Sequence, residues 1–103
     1  MMSILTKDGI IKILREKLPY LNSEFGIHRI GIFGSYAVGN PDENSDVDII
    51  AEFERPIGFR FVEFAEYMEQ LFDKKTDILT PAGIDAIRNK KIADEIARTI
   101  VYV

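Results

Sequence analysis

Apolar residues recur near the start of the chain at intervals of three and four, the spacing of an amphipathic helix. The residues that share this face are Ile10, Ile11, Ile13, Leu14 and Leu18. Thr6 precedes them, and its hydroxyl can accept a free N–H group of the first helical turn. Because proline disfavours the helical conformation in the residue before it, Pro19 predicts that this helix ends at Leu18.

Three shorter apolar runs have the β-branched and aromatic composition of strands and are bounded by turn-forming residues. The predicted strands are residues 27–33, 45–54 and 76–79. Side chains alternate between the two faces of a strand, so Asp46 and Asp48 are expected to project from the same face of the second strand.

Helical spacing returns between and after these strands. It predicts a helix over residues 59–72 and a longer helical segment from Gly83 onward, and a helical turn is expected at residues 36–38. Residues 100–103 are compatible with a short edge strand or with the last helical turn, and periodicity does not distinguish the two. The mixture of helices and strands predicts an α/β (α+β) fold.

Composition narrows the class of protein. A chain of 103 residues is long enough for one domain and too short for two, so we expect a single domain over residues 1–103. Apolar residues make up 47% and charged residues 29% of the chain, as in folded globular proteins. The absence of cysteine excludes a disulfide framework, a thiolate zinc site and a cysteine nucleophile.

Charge and hydropathy restrict the partners and the location. The chain has 13 basic and 17 acidic residues, a net charge of -4, which argues against strong nucleic-acid binding because that needs a basic face. The longest apolar run is far shorter than a membrane span, and the first residues do not have the pattern of a signal peptide. We therefore expect a cytoplasmic protein.

Three aspartates are the candidate metal ligands. Asp46 and Asp48 lie on one predicted strand and Asp77 on another. If these strands are neighbours, the carboxylates could converge into a hard-oxygen site suited to Mg²⁺ or Mn²⁺ that arrives with substrate phosphates. The alternative is a solvated strand end without function, but aspartate is disfavoured inside strands.

Gly34 and Ser35 are the candidate phosphate-binding residues. They end the first strand, and ten residues separate Ser35 from Asp46. Glycine permits a sharp turn and a close ligand approach, and a helical turn after it would present N–H groups and the serine hydroxyl to a phosphate. The alternative is a simple turn. Ser35 has no candidate histidine base, since the single histidine, His28, is interpreted as structural or surface, so a serine hydrolase is rejected.

The ordered set of strand, Gly-Ser, Asp-x-Asp, helix and Asp-containing strand resembles the nucleotidyltransferase superfamily, which includes polymerase beta and the aminoglycoside nucleotidyltransferases. The short length, Gly39 and the segment Ser45-Asp46-Val47-Asp48-Ile49 look like the minimal nucleotidyltransferase family of prokaryotes, over residues 8–103. The resemblance implies a nucleotidyltransferase fold in a single domain, with a small mixed central sheet flanked by helices.

The resemblance also implies a role for each candidate residue. Asp46 and Asp48 would bind metal, and Asp77 would help to bind metal and activate the attacking hydroxyl as a base. Gly34 and Ser35 would hold the terminal phosphates of the nucleotide. The implied reaction is transfer of AMP from ATP to a hydroxyl, with two Mg²⁺ ions bound together with the substrate and pyrophosphate as the leaving group.

A partner is implied by the same resemblance. Members of this family are often encoded beside a small all-helical protein of the HEPN type, which resembles a ribonuclease toxin and which the transferase counteracts as an antitoxin. A tyrosine of such a toxin would accept the AMP. The chain has no room for the acceptor domain of the aminoglycoside enzymes, so a homo-oligomer or a hetero-oligomer with the toxin is expected to complete the acceptor surface.

One residue departs from the family pattern. An arginine commonly precedes the second glycine of the motif, where this chain has Val38. The missing charge keeps open an antitoxin with weak or no catalysis, which would neutralise its toxin by binding alone. Lys74, Lys75 and Arg60 are candidates to replace the charge. A metal-dependent binding domain unrelated to nucleotides is a third interpretation.

Overall fold

The helices and strands of the computed structural model, which describes residues 5–103, follow the apolar pattern closely. The helices are α1 (Lys7–Phe25), α2 (Gly34–Ala37), α3 (Arg60–Phe72), α4 (Pro81–Asp85) and α5 (Lys90–Thr99). The strands are β1 (Ile27–Phe33), β2 (Val47–Phe53), β3 (Thr76–Leu79) and β4 (Val101–Tyr102).

The strands form one mixed sheet in the order β3-β2-β1-β4. Strand β1 pairs in antiparallel orientation with both β2 and β4. Strands β2 and β3 are parallel, and the chain between them includes α3, since parallel neighbours need a crossover connection. The small mixed sheet flanked by helices confirms the predicted fold class.

One side of the sheet packs against α1 and α3. Ile10 and Leu14 of α1 and Phe64 and Met68 of α3 are fully buried there. They meet the side chains of β1 and β2 that project to this side, which are Ile30, Ile32, Val47, Ile49 and Ala51. Burial of this apolar layer is the main stabilising contribution to the fold.

The other side of the sheet has a smaller apolar cluster. Phe33 of β1, Ile50 of β2 and Ile84 of α4 are buried in it, and partly buried side chains of α5 pack against them. Because Asp48 lies two residues before Ile50, its carboxylate is on this second side of the sheet. The second side therefore carries the candidate chemistry.

Helix α1 does not end before Pro19, and this prediction was wrong. The helix continues through Pro19 to Phe25, where Gly26 ends it with φ 73° and donates its N–H to carbonyls of the last turn. Leu21 and Phe25 lie beyond the proline and are buried in the core, whereas Pro19 itself is exposed. Burial of these two side chains outweighs the lost helical hydrogen bond, which water can replace at an exposed site.

Some boundaries also differ from the prediction. The helical segment expected from Gly83 is two helices, α4 and α5, each with its own N-terminal cap: Thr80 accepts from Gly83, and Asn89 accepts from Lys91 and Ile92. Strand β2 begins one residue after Asp46. Of the two alternatives for the last residues, the edge strand is the one formed, because Val101 and Tyr102 pair with β1.

Within residues 5–103, no helix is both long enough and apolar enough to cross a membrane.

Candidate active site

Two of the three predicted carboxylates lie opposite each other on neighbouring strands. Asp48 of β2 is the register partner of Asp77 of β3 in the parallel pair. Partners in a sheet are on the same face, and their strands are about 4.8 Å apart. Asp48 is partly buried, whereas Asp77 is exposed. The sheet thus brings together two residues that are far apart in the sequence.

The surroundings of Asp48 make its ionisation unfavourable. Burial, together with the negative charges of Asp77 and then of Asp46, raises the pKa of Asp48 from 3.8 to about 6. Two carboxylates near a third repel it, and a bound cation would relieve that repulsion. The site therefore has an excess of negative charge that a divalent cation can compensate.

Asp46 lies one residue before β2 and is less closely associated with the other two. Its Oδ2 is 3.9 Å from the Nζ of Lys75, the residue before β3. Among residues 5–103, no three carboxylate, histidine or cysteine side chains are close enough together to form a metal-binding group by themselves. Asp46 and Asp77 are thus near enough to Asp48 for their charges to act on it, but the three aspartates do not form a complete ligand set.

The loop that leads into β2 is held by its own polar side chains. Asp42 Oδ1 accepts a hydrogen bond of 2.8 Å from the N–H of Asn44, and Ser45 Oγ accepts one of 2.9 Å from the N–H of Asp42. Lys74 Nζ donates to the carbonyl of Glu43 at 3.1 Å, which links this loop to the start of β3. These contacts set the position of the chain just before Asp46.

Gly34 forms a turn directly against the Asp48 carboxylate. Phe33 pairs with Asp48 across β1 and β2, so Gly34 leaves the sheet beside Asp48. Its φ is 71°, in the left-handed region, and a Cβ at this position would overlap Oδ2 of Asp48. Glycine is therefore required here both for the backbone conformation and for the close approach.

Ser35 follows in the first turn of α2 and is partly buried. The first N–H groups of a helix have no partner within the helix and can bind an anion. The N–H of Gly34, however, already donates to Thr99 Oγ1 at 3.0 Å. Of the two predicted phosphate-binding residues, only Ser35 has a main-chain N–H that does not donate to Thr99.

Thr99 contacts the candidate site, and the sequence interpretation did not single it out. It is the last residue of α5, and it lies 65 positions from Gly34 in the chain. A threonine at the end of an amphipathic helix has no distinctive sequence signal. Only the pairing of β4 with β1, which was left open as one of two alternatives, could have placed it beside the Gly34 turn.

The cations proposed to replace the missing family arginine have separate positions. Val38 is 60% exposed at the end of α2. Arg60 is bound to the main chain and carboxylate of Glu24, at the contact of α3 with α1. Lys75 is the one of the three candidate cations that forms an ion pair with a predicted metal ligand.

Comparison with known proteins identifies the class. Residues 8–102 match the family model described as nucleotidyltransferase domain. The chain therefore belongs to the nucleotidyltransferase domain family, as the order of its motifs indicated, and it is a nucleotidyltransferase.

A curated relative agrees along the whole chain. The chain is 37% identical over 103 residues to the protein adenylyltransferase MntA of Thermococcus cleftensis, covering 99% of this chain and 100% of that protein. The match leaves no part of the relative uncovered.

Solved structures share the fold. A protein described as a "putative minimal nucleotidyltransferase" superposes with a TM-score of 0.70 at 22% identity, covering 97% of this chain and 98% of that one. A chain from the crystal structure of a toxin–antitoxin with AMP-PNP superposes with a TM-score of 0.60 at 22% identity, covering 95% of this chain and 72% of that one. At these identities the likeness establishes the fold alone.

Proposed function

We propose that the protein transfers AMP from ATP to a hydroxyl of a partner protein and thereby acts as an antitoxin. The observation that carries this proposal is the placement of Asp48 opposite Asp77, with the Gly34 turn against its carboxylate. Nucleotidyl transfer is the activity of the family, and a relative that this chain matches over 100% of its length is named a protein adenylyltransferase.

The donor atoms of the site fit Mg²⁺. Asp46, Asp48 and Asp77 offer only carboxylate oxygens, and Mg²⁺ is usually held by one or two carboxylates together with substrate phosphates and water. An incomplete protein ligand set is compatible with such a metal, because substrate phosphates and water supply the remaining ligands. When bound, two Mg²⁺ ions would neutralise the charge of the triphosphate and of the departing pyrophosphate.

Phosphate binding and proton transfer would be carried out by side chains and main-chain groups of this protein. Ser35, in the first turn of α2, would bind the terminal phosphates through its N–H and hydroxyl. The acceptor oxygen forms a bond to the α-phosphorus while the bond from that phosphorus to the oxygen bridging to the β-phosphate breaks. Asp77 is exposed and can receive the proton of the acceptor hydroxyl. Pyrophosphate leaves with the electrons of the broken bond.

The acceptor is proposed to be a tyrosine of a helical HEPN-type toxin. A structural neighbour was crystallised as a toxin–antitoxin with AMP-PNP, an ATP analogue, which supports a nucleotide and a toxin as the two partners. A hetero-oligomer with the toxin would bring the tyrosine to the exposed side of Asp77. No second domain of this chain is needed to hold the acceptor.

The proposal is tested by following two differently labelled forms of ATP. With Mg²⁺ and the helical partner, label at the α-phosphate should move to the partner, and label at the γ-phosphate should appear in pyrophosphate. Asp48→Asn should reduce transfer by about 100-fold or more, since it removes a carboxylate from the charge-neutralising set. The matched control is Asp94→Asn, because Asp94 is an exposed aspartate on α5 outside the site. Equal transfer by Asp48→Asn and wild type would refute the proposed site.

A second candidate is an antitoxin that acts by binding alone. Val38 favours it, because an exposed apolar side chain stands where the family commonly has an arginine. Co-expression with the toxin separates the two functions. Loss of neutralisation in Asp48→Asn, with retained binding to the toxin, supports catalysis. Full neutralisation by that variant supports binding alone.

A further inference from the structure

We propose that Thr99 is a positioning residue that holds the Gly34 turn in the shape needed for nucleotide binding. This inference rests on the proposed function, because it assigns Thr99 a part in the binding of ATP. Thr99 would touch neither the nucleotide nor the metal, and it would act only through Gly34.

The position of Thr99 follows from the register of the sheet. Gly31 pairs with Tyr102 and Ile32 with Val101 in the antiparallel β1–β4 pair. Continuing the same register by two residues places Gly34 opposite Thr99. The chain is already helical at Thr99, so its main chain cannot extend the ladder. The side chain does so instead, because Oγ1 accepts the N–H of Gly34 at 3.0 Å.

The direction of both hydrogen bonds is determined by chemistry. The Thr99 hydroxyl donates to the carbonyl of Ile96 at 2.8 Å, and a carbonyl can only accept. The hydroxyl proton is therefore used, and a lone pair of Oγ1 is left for the N–H of Gly34. Valine has nearly the same shape but can form neither bond. Serine can form both.

The bond matters because of the two proposed site residues beside Gly34: Gly34 contacts Asp48 and directly precedes Ser35. Its backbone lies against the Asp48 carboxylate, so a shift of the turn moves the surroundings of a proposed metal ligand. Ser35 is the next residue, so the same shift moves a proposed phosphate ligand. Without Thr99, the partly buried N–H of Gly34 would lose its acceptor and the turn would relax toward another one.

The experiment compares Thr99→Val with Thr99→Ser in the transfer assay with the full chain. The loss of one hydrogen bond predicts that Thr99→Val raises KM for ATP about fivefold to tenfold, with KM for the partner protein within about twofold of wild type. Thr99→Ser should restore KM for ATP to within about twofold, because it retains both hydrogen bonds. Amide exchange at Gly34, followed by NMR in the free protein, should be about tenfold faster in Thr99→Val.

The control variant is Thr6→Val. Thr6 Oγ1 accepts from the N–H of Gly9 at the same distance, 3.0 Å, but at the start of α1. This variant should lose stability and keep the wild-type KM for ATP. If Thr99 contributed only to stability, Thr99→Val would also lose stability and keep the wild-type KM for ATP.

Three outcomes overturn the inference. The first is a folded Thr99→Val with fast exchange at Gly34 and an unchanged KM for ATP. The second is a Thr99→Ser variant as impaired as Thr99→Val. The third is a wild type without any AMP transfer, which refutes the proposed function itself and the inference with it. If Thr99→Val does not fold, Thr99→Ala removes the same hydroxyl and must show the same rise in KM.

Discussion

Asp48 is a partly buried carboxylate with two other carboxylates nearby, and its pKa is raised to about 6. Between the ordinary value of 3.8 and about 6, the folded protein binds the Asp48 proton more strongly than the unfolded chain does. The contribution of this group to stability therefore falls as the pH rises through that window. Ionised Asp48 destabilises the metal-free fold, as is common for groups placed for function.

The fall in stability with rising pH predicts the effect of Asp48→Asn. Without metal at pH 7, the variant should be more stable than wild type by about 1 kcal/mol, less than the full pKa shift implies because the carboxylate is partly solvated. The difference should shrink as the pH falls from about 6 and be nearly gone below the ordinary pKa of 3.8, where Asp48 is mostly protonated in both states. Urea unfolding from pH 3.5 to 8 in a chelator measures it. A variant less stable than wild type at pH 7 would show that Asp48 is not destabilising.

Gly34 gives a second prediction at the level of single residues. Gly34→Ala should lower the free energy of unfolding by about 2 kcal/mol, since alanine is strained at this φ and its Cβ would displace the Asp48 carboxylate. AMP transfer should be lost as well. Gly58→Ala is the matched control, because Gly58 has φ 58° with open space around a Cβ. It should lose about 1 kcal/mol and keep its activity. Equal activity in the two variants would contradict the importance of the close approach.

The sequence was informative about site residues where the chemistry and the local pattern coincide. Asp46, Asp48 and Asp77 were predicted as site residues because carboxylates are unusual within strands, and Gly34 because it ends one. Asp48 lies opposite Asp77 because of the register between β2 and β3, and local periodicity does not predict the register between strands. Thr99 could not be predicted for the same reason, since its position beside Gly34 depends on the β1–β4 pairing.

Helix α1 shows how tertiary packing decides an element boundary. A proline costs an interior helix about 3 kcal/mol, yet the helix passes through Pro19 because Leu21 and Phe25 are buried beyond it. The local sequence favours an end of α1 at Pro19. Only burial in the core, which includes distant strands, favours continuation of the helix. By contrast, the boundaries of α3 and β3 agree with the pattern to within one residue, because packing and local preference agree there.

The exposed proline in α1 leads to a third prediction. Pro19→Ala should stabilise the protein by about 1–2 kcal/mol, because the helix regains a hydrogen bond and the gain exceeds the lost rigidity of the unfolded chain. In a domain of this size, the melting temperature should rise by about 4–12 °C. AMP transfer should not change, since Pro19 is exposed on α1, which lies on the side of the sheet away from Asp48. A lower melting temperature would show that proline contributes packing that the exposed position does not suggest.

At the scale of the whole molecule, the sheet separates the larger apolar core from the candidate active site. The side covered by α1 and α3 holds the larger apolar core, whereas the other side holds Asp48, Asp77 and the Gly34 turn beside a smaller cluster. Helix α5 packs on this second side, and β4 pairs with β1 at the edge of the sheet, so Thr99 at the end of α5 reaches Gly34. Asp77 is exposed at this side, where the proposed acceptor hydroxyl can approach it.

The most direct test of the account is the intact mass of the helical partner after incubation with the protein, ATP and Mg²⁺. The account predicts a gain equal to one AMP residue, carried on a tyrosine. That gain should be lost when Mg²⁺ is replaced by a chelator and when Asp48→Asn replaces the wild type, and it should persist with Asp94→Asn. An unchanged partner mass in the wild-type reaction, with the toxin still neutralised, would contradict AMP transfer and leave binding alone as the function.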